Sequence, residues 1–539
     1  MKTNLQLIRK GWVTSSSADV VACVRGQAHL GDECLDTAAL AERFSSVVVK
    51  GLIEGFDDLV SRLNGCWVAV VVCGDNVYLA VDHLRSIQLL YRQENDVLHV
   101  FDDMENFRKD HQLEFDEDCV HEYLSSGYVY GNRTLFKGTY SLQAAERVVF
   151  VAGRIDARRY WRYIPNIDKP VVADDALVER IDKTFEASMR RLVESVGGKR
   201  IVVPLSGGYD SRLIVNYLYK LGVTNVLCYS YGVKGNGESR CSQEIASRLG
   251  YEWHYVEYTD ENRTALVNDP QTDACFRYMI NGTNRYCNQE HIALSTLKAD
   301  GVISPDRDLI VPGYYFDVLA GSKIKPSTNW LTAVTNSMAD ENCFFLHGAF
   351  CRTAHSIRRI FKCNDDIAPR KFFETFLWQE RLAKFIVNNV RDYEFLGFDW
   401  RLPVCDRELF SLWLSFPYSM RYGRKYFRNV FPLLAVAAIQ DVSFSGQGDR
   451  ESMKKKIRHW ISERMPYVAR YGIERMLRRR CCGLSGGVLG SARIDVEALA
   501  KVVAARFQSC QMRLSNLSNV TENATFVLKG LAEEAELSE

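Results

Sequence analysis

The 539-residue chain has almost no net charge: 68 lysines and arginines face 67 acids, leaving a formal +1. No global field therefore recruits nucleic acid or an anionic membrane. No apolar run approaches the ~20 residues of a membrane span, and the opening MKTNLQLIRKGWV lacks a signal peptide's apolar core. The chain has no CxxC pair. Its sixteen cysteines are scattered, with only Cys481 and Cys482 adjacent, so zinc-ribbon, thioredoxin-like and disulfide-framework readings all fail. Most of the thiols read as reduced core residues, and the expected compartment is the cytoplasm. Internal repeats and low-complexity tracts are missing too, which excludes solenoids and disordered scaffolds.

What is present is an ordinary globular composition, 47% hydrophobic and 25% charged. At ~150 residues per domain the length predicts roughly two to four domains. Residues 1–165 are β-rich, with short strands such as DVVACV, CWVAVVV, VYLAV and RVVFV separated by turns at 74–76 and 94–96. Helical patterns near 37–61 and 117–126 interrupt them. Over 175–445 strands and helices alternate, from IVVPL through NVLCYSY and EWHYVEY to DLIVPG, which predicts a parallel sheet with helices packed on it. One long helical pattern covers 370–396, and 446–539 reads as a helical extension, basic in its first half.

The most informative stretch is VVPLSGGYDSRLIVNYLYKLG, residues 202–222. Val202, Val203 and Leu205 read as an interior parallel strand, and Leu213, Ile214, Tyr217 and Leu218 recur at helical spacing. Between them lies Ser206-Gly207-Gly208-Tyr209-Asp210-Ser211. Two glycines there let the backbone approach a ligand closely, and the helix N-terminus behind them favours an anion. The serines add hydroxyl donors, and Asp210 adds a carboxylate suited to a metal ion. An ordinary turn, with Asp210 or Ser211 merely capping the helix, is the bland alternative. Gly-Gly alone leaves the two even; the whole string favours nucleotide phosphate.

This string resembles the pyrophosphate-loop signature of ATP pyrophosphatases, and further segments make the chain similar to the asparagine synthetase family. ESRCSQEIASRLG, opening on Glu238, resembles that family's second helix. VPGYYFDVLAG (311–321), with Gly313, Asp317 and Gly321, resembles its Gly-Glu-Gly-x-Asp-Glu-x-x-Gly segment. GFDWRLPVCD (397–406) and GRKYFR (423–428) resemble two later elements. In the first half LNGCWVAVVV, LAVDHLRSIQLLY and GNRTLFKGTYSL resemble strands and the closing segment of a glutaminase domain. The resemblance spans roughly residues 1–440 in order. It implies an α/β protein: a β-rich Ntn-type sandwich over 1–165, then a PP-loop (adenine nucleotide alpha hydrolase-like) parallel-sheet domain over 175–445, with the helical region after it.

The resemblance also implies a chemistry. The family activates a carboxylate with ATP, releases pyrophosphate, and lets an amine attack. Leu205, Ser206, Gly207, Gly208, Asp210, Ser211, Tyr229, Ser230 and Gly313 are the matching ATP-binding positions. Asp210 and Asp317 match ligands of Mg2+, and Lys425 matches a cation that neutralises charge on the phosphates. Arg421, Arg424 and Arg428 are as well read as a solvated face. The implied partners are a small-molecule or saccharide carboxylate and an ammonia or amine donor. Neither membrane nor nucleic acid is expected, and a homodimer is an admissible assembly.

Two departures qualify this. The family's glutaminase nucleophile follows the initiator methionine, where this chain has Lys2; the first cysteine, Cys23, reads as core. The first domain is thus expected to be a relic that leaves glutamine intact. Secondly, Tyr314 replaces a family glutamate, as in the branches that close β-lactam and carbapenam rings. There a downstream glutamate partners the tyrosine. Glu380 on the 370–396 helix is the candidate here, and half of an ion pair with Arg381 or Lys384 is its structural alternative. The 378–406 stretch is closer to asparagine synthetase-like proteins of surface-polysaccharide clusters. Three readings result: an AMP-forming amide ligase, lactam-forming or not; a tRNA-modifying PP-loop enzyme, on the basic runs 454–460 and 475–482; or an inactive interaction protein.

Overall fold

The computed structural model of the chain describes residues 2–47, 52–166, 169–287, 289–314, 316–324 and 369–442. The expected extension at 446–539, with its two basic runs, lies outside the described residues. In the first half the strands are Lys2–Gln6 (β1), Trp12–Ser17 (β2), Val20–Leu30 (β3), Glu33–Leu35 (β4), Asn64–Cys73 (β5) and Asn76–Val81 (β6). They continue as Leu90–Glu94 (β7), Val97–Phe101 (β8), Thr139–Ser141 (β9), Glu146–Val151 (β10) and Arg154–Arg159 (β11). One sheet has the order β1-β8-β7-β9; the other runs β11-β10-β6-β5-β3-β2, with β4 on β3.

Alternation along the strands explains why the two sheets stack. On β5, Val68 and Val70 join the core between the sheets, while Trp67, Ala69 and Val71 face the helices Thr37–Val47 and Leu52–Arg62. On β8, Leu98 and Val100 face inward, and Phe101 packs with Met104 and Phe107 of the helix Met104–Asp110. The result is a helix–sheet–sheet–helix sandwich, the Ntn-type arrangement expected. Of the helical pattern near 37–61, the described residues show Thr37–Val47 and Leu52–Arg62. Cys23 lies on β3, facing the inter-sheet core.

The second half is built on Arg200–Pro204 (β12), Val226–Gly232 (β13), Glu252–Glu257 (β14), Asp308–Ile310 (β15) and Asp399–Trp400 (β16). All pairings are parallel, in the order β14-β13-β12-β15-β16. The chain winds outward from β12 to β14, then returns to β15 on the other side of β12. The crevice beyond the carboxyl ends of β12 and β15 is therefore a topological switch point, where open α/β sheets bind ligands. Among the described residues no helix is long and apolar enough to cross a membrane.

The 370–396 pattern is helical but not uniform. It starts as an α-helix at Pro369–Phe376, widens to a π-helix over Leu377–Ile386, tightens at Val387–Asn389, and resumes as Val390–Phe395. This rod joins the halves. Lys384 Nζ donates to the Val129 and Gly131 carbonyls at 2.6 and 2.7 Å, and Trp378 Nε1 donates to the His83 carbonyl at 2.9 Å.

Candidate functional site

Strand β12 ends at Pro204, and the helix Tyr209–Lys220 starts five residues later with Gly208 as a cap that makes no side-chain hydrogen bond. Its first-turn amides are thus not closed off by a capping side chain. The loop between is held by its serines: the Ser206 amide donates to Ser211 Oγ at 3.0 Å, and the Gly208 amide donates to Ser206 Oγ at 3.2 Å. Leu205 is core, and its amide ties β12 to the Tyr229 carbonyl at 2.8 Å. Asp210, half-buried, sits in the first helical turn.

The loop after β15 closes over this turn. A Cβ on Gly313 would lie 2.4 Å from the Ser211 amide nitrogen and 2.8 Å from its Cα, so the glycine is demanded by contact with backbone that cannot step aside. Asp317 follows on the short helix Phe316–Leu319, its side chain outside the described residues. From the opposite side comes the helix Lys425–Leu434: Phe427 and Phe431 pack on the Tyr209 ring at 5.2 Å each, and the Arg424 guanidinium lies 5.6 Å over it. Lys425, exposed, opens that helix. Arg421 is different: it is buried and paired with Glu374, a structural role.

Next to Gly313 in the chain, Tyr314 enters a polar cluster. Its hydroxyl donates to Glu290 Oε1 at 3.0 Å and meets the Tyr393 hydroxyl at 2.6 Å. Tyr393 and Tyr229 both donate to Glu290 Oε2, at 2.7 and 2.9 Å. Burial raises the Glu290 carboxyl above its usual range, the phenol hydrogen bonds working against it. Burial and the Glu290 charge push the Tyr314 phenol well above its ordinary value. Behind the cluster, His291 Nδ1 and Asp392 Oδ1 are 2.6 Å apart. This pair joins the residue after Glu290 to the residue before Tyr393. Against its burial, His291 is raised by the Asp392 charge.

The expected pairing of Tyr314 with Glu380 is not formed. Glu380 is fully buried and bonded to Lys384 Nζ at 2.6 Å, with the Gln379 side-chain amide donating to it at 2.7 Å and the Gly131 amide at 3.3 Å. It is the ion-pair alternative that the geometry realises, and the reason is the domain contact: the 129–131 loop needs a buried cation, and the cation needs a carboxylate. The carboxylate at the Tyr314 hydroxyl is Glu290. Sequence reasoning missed it because it lies in a short connection before the helix His291–Ala299, with no motif around it. Tyr229 reaches the same carboxylate, so its side chain belongs to this cluster, while Ser230 is buried beside it on β13.

A separate recess of about 630 Å³, lined by Gly198, Arg200, Glu252 and Arg307 among others, opens at the amino edge of the parallel sheet. Its Arg200 is already paired with Asp308 at 2.7 Å and Glu252 at 3.1 Å. It lies at the wrong end of the strands for the switch-point site.

A sequence model of the family described as asparagine synthase matches residues 180–273, a segment that includes the 206–211 loop and stops short of Glu290 and Tyr314. Among curated proteins none matches the chain. Solved structures similar to it include the NH3-dependent NAD synthetase from Campylobacter jejuni, 14% identical over 26% of this chain and 59% of that one, at a TM-score of 0.20. Another is the glutamine phosphoribosylpyrophosphate amidotransferase from B. subtilis, 11% identical over 46% of this chain and 73% of its own, at 0.21. A third, NAD+ synthetase from Burkholderia pseudomallei, is 12% identical over 48% of this chain and 90% of its own, at 0.18.

Proposed function

We propose that the chain is an ATP-dependent ligase forming C–N bonds, which activates a carboxylate as an acyl-adenylate and passes the acyl group to an amine or ammonia. One observation carries this reading. Gly313 lies against the Ser206–Ser211 loop, and the next residue, Tyr314, is hydrogen-bonded to Glu290. A single peptide link thus joins an anion cradle to an acid–base cluster.

In the first half-reaction a substrate carboxylate oxygen attacks the α-phosphorus of ATP, and pyrophosphate leaves. The amides of Gly207 and Gly208 and the hydroxyls of Ser206 and Ser211 hold phosphate oxygens. Leu205, Tyr229 and Ser230 lie at the strand edge where the nucleoside is expected. Lys425, beside Arg424 at the far wall of the loop, offsets the charge that develops on the departing group. Asp210 fits Mg2+ as a half-buried carboxylate at the phosphate cradle, and Asp317 is the companion that the family resemblance implies. The ion would supply Lewis-acid neutralisation of the phosphate oxygens.

In the second half-reaction the nitrogen lone pair attacks the acyl carbon, and AMP leaves with the electrons of the broken C–O bond. The proton lost by nitrogen passes to the Tyr314 oxygen as the phenol proton passes to Glu290. A raised carboxyl pKa suits Glu290 to that task. Ammonia and an amine, whether a second molecule or one within the activated substrate, would lose a proton to the same base.

Glutamine is not expected as a nitrogen source. Within the first half, burial pushes the Cys66 thiol up to about 12 and Cys119 well above its ordinary value, so neither is a thiolate at neutral pH. ATP–pyrophosphate exchange, screened over carboxylic acids, tests the whole reading. Asp210→Ala should abolish acid-dependent exchange while the fold stays intact. Unchanged exchange in that variant would remove the loop from the mechanism.

A further inference from the structure

We propose that Glu94, His99 and His111 form a binding site for a divalent transition-metal ion of zinc type, on the outer layer of the first half and separate from the ligase site. The three side chains come from three elements: the end of β7, the middle of β8, and the residue following the helix Met104–Asp110. One ligand atom from each lies within 4.8 Å of the other two. His111 Nδ1 is 3.6 Å from Glu94 Oε2, and the two imidazole centroids are 4.7 Å apart at 75°. Ligands bound tetrahedrally at about 2.0–2.1 Å sit about 3.3–3.5 Å from one another, so the Glu94–His111 pair is within a few tenths of an ångström of a coordination edge, and His99 must close in on it when the ion binds.

The hairpin register explains the convergence. Arg92 pairs across with His99, and Glu94, two residues from Arg92, shares its face. That face looks away from the core between the sheets, towards Phe107. Each candidate ligand also has its own support. Asn4 lies 3.2 Å from His99 Nδ1, and turning its amide so that the carbonyl accepts from Nδ1–H leaves Nε2 as the coordinating atom. Arg92 stands 3.5 Å from Glu94 Oε1, leaving Oε2 towards His111. The His111 ring ends a stacked column, 4.1 Å from Phe107, which is itself 3.9 Å from Phe101. Secured outer partners of this kind are what metal ligands require.

The other compact group, Cys275, His291 and Asp392, does not share this geometry. Its imidazole and carboxylate are 2.6 Å apart, a hydrogen-bond distance too short for two ligands on one ion. At Glu94–His99–His111 the His99 ring is buried and the other two side chains are half-exposed at the edge, so water can complete the coordination and the ion can enter. A bound ion would clip the β7–β8 hairpin to the end of the helix.

Calorimetric titration of the EDTA-treated, full-length chain with Zn2+ tests this. The chain's other imidazoles and thiols take up the metal nonspecifically, so the reading is the difference between variants. The wild type should bind one equivalent that His111→Ala and Glu94→Gln each weaken by ~100-fold or more, and that Asn4→Ala weakens by about 10–100-fold. Zn2+ should raise the melting temperature of the wild type and not of Glu94→Gln, an exposed change that leaves the fold alone. His254→Ala removes another half-exposed imidazole beside a carboxylate, 2.8 Å from Glu252, and should change nothing. If Glu94→Gln and His111→Ala bind and melt like the wild type, or if His254→Ala abolishes the equivalent instead, the group is only an ion pair and the proposal falls.

Discussion

At the scale of single residues, the decisive contrast is between two glutamates. Glu290 accepts from three phenols and is raised by burial, whereas Glu380 is locked against Lys384. Tyr314→Phe and Glu290→Gln should therefore spare ATP–pyrophosphate exchange and slow amide formation by ~10²–10⁴-fold, with the double variant little worse than either single one. Glu380→Gln should do the opposite. Both half-reactions should keep their ratio, while urea melts report a loss of about 3–5 kcal/mol because Lys384 is left buried without its counter-charge. A Glu290→Gln variant that loses both half-reactions equally would make the cluster a packing feature. The phosphate loop was legible from sequence because its donors are contiguous. The Tyr314 partner was not, because Tyr229, Glu290, Tyr314 and Tyr393 meet only through tertiary structure.

At the scale of elements, every strand expected in the second half is present, since each is a short apolar or alternating run bounded by turns. The long helix was legible in existence and extent but not in its internal change of pitch. A π segment alters which residues share a face, and a 3.6-residue period cannot reveal that. The β15 loop makes the converse case, in which one small residue dictates a junction. Gly313→Ala would drive a methyl group to 2.4 Å from the Ser211 amide nitrogen. Relieving that contact must displace the loop, at about 1–3 kcal/mol. The KM for ATP in the exchange assay should rise about 10–100-fold. Gly237→Ala, whose Cβ would meet nothing within 4 Å at the start of another helix, should leave both KM and melting temperature in place.

At the scale of the whole molecule, the two halves share their buried polar groups. Asn281, from the second half, donates to the Asp102 carbonyl at 2.9 Å and to Gln88 Oε1 at 3.0 Å, and accepts from the Met104 amide at 2.7 Å. Arg85, from the first half, reaches Asn284 at 2.9 Å and Thr283 at 3.0 Å. Arg25 pairs with Glu394 at 2.6 Å, and Arg391 donates to the Ser86 carbonyl at 2.5 Å, on either side of the turn that carries Tyr393. The first half thus buttresses the helix that completes the Glu290 cluster, a use that needs no glutaminase chemistry. Composition made the two halves legible; the polar network between them was not, since its members are separated by up to hundreds of residues. Asn281→Ala tests the coupling. It strips partners from two backbone groups and one amide, each worth about 1–3 kcal/mol when left buried and unbonded. If the halves stabilise each other, denaturant curves followed by far-UV circular dichroism and by tryptophan fluorescence should stay coincident and shift together by about 3 kcal/mol. Curves that separate, with only one transition displaced, would show that the sandwich and the parallel-sheet domain unfold independently. The buttress would then have to act by proximity alone.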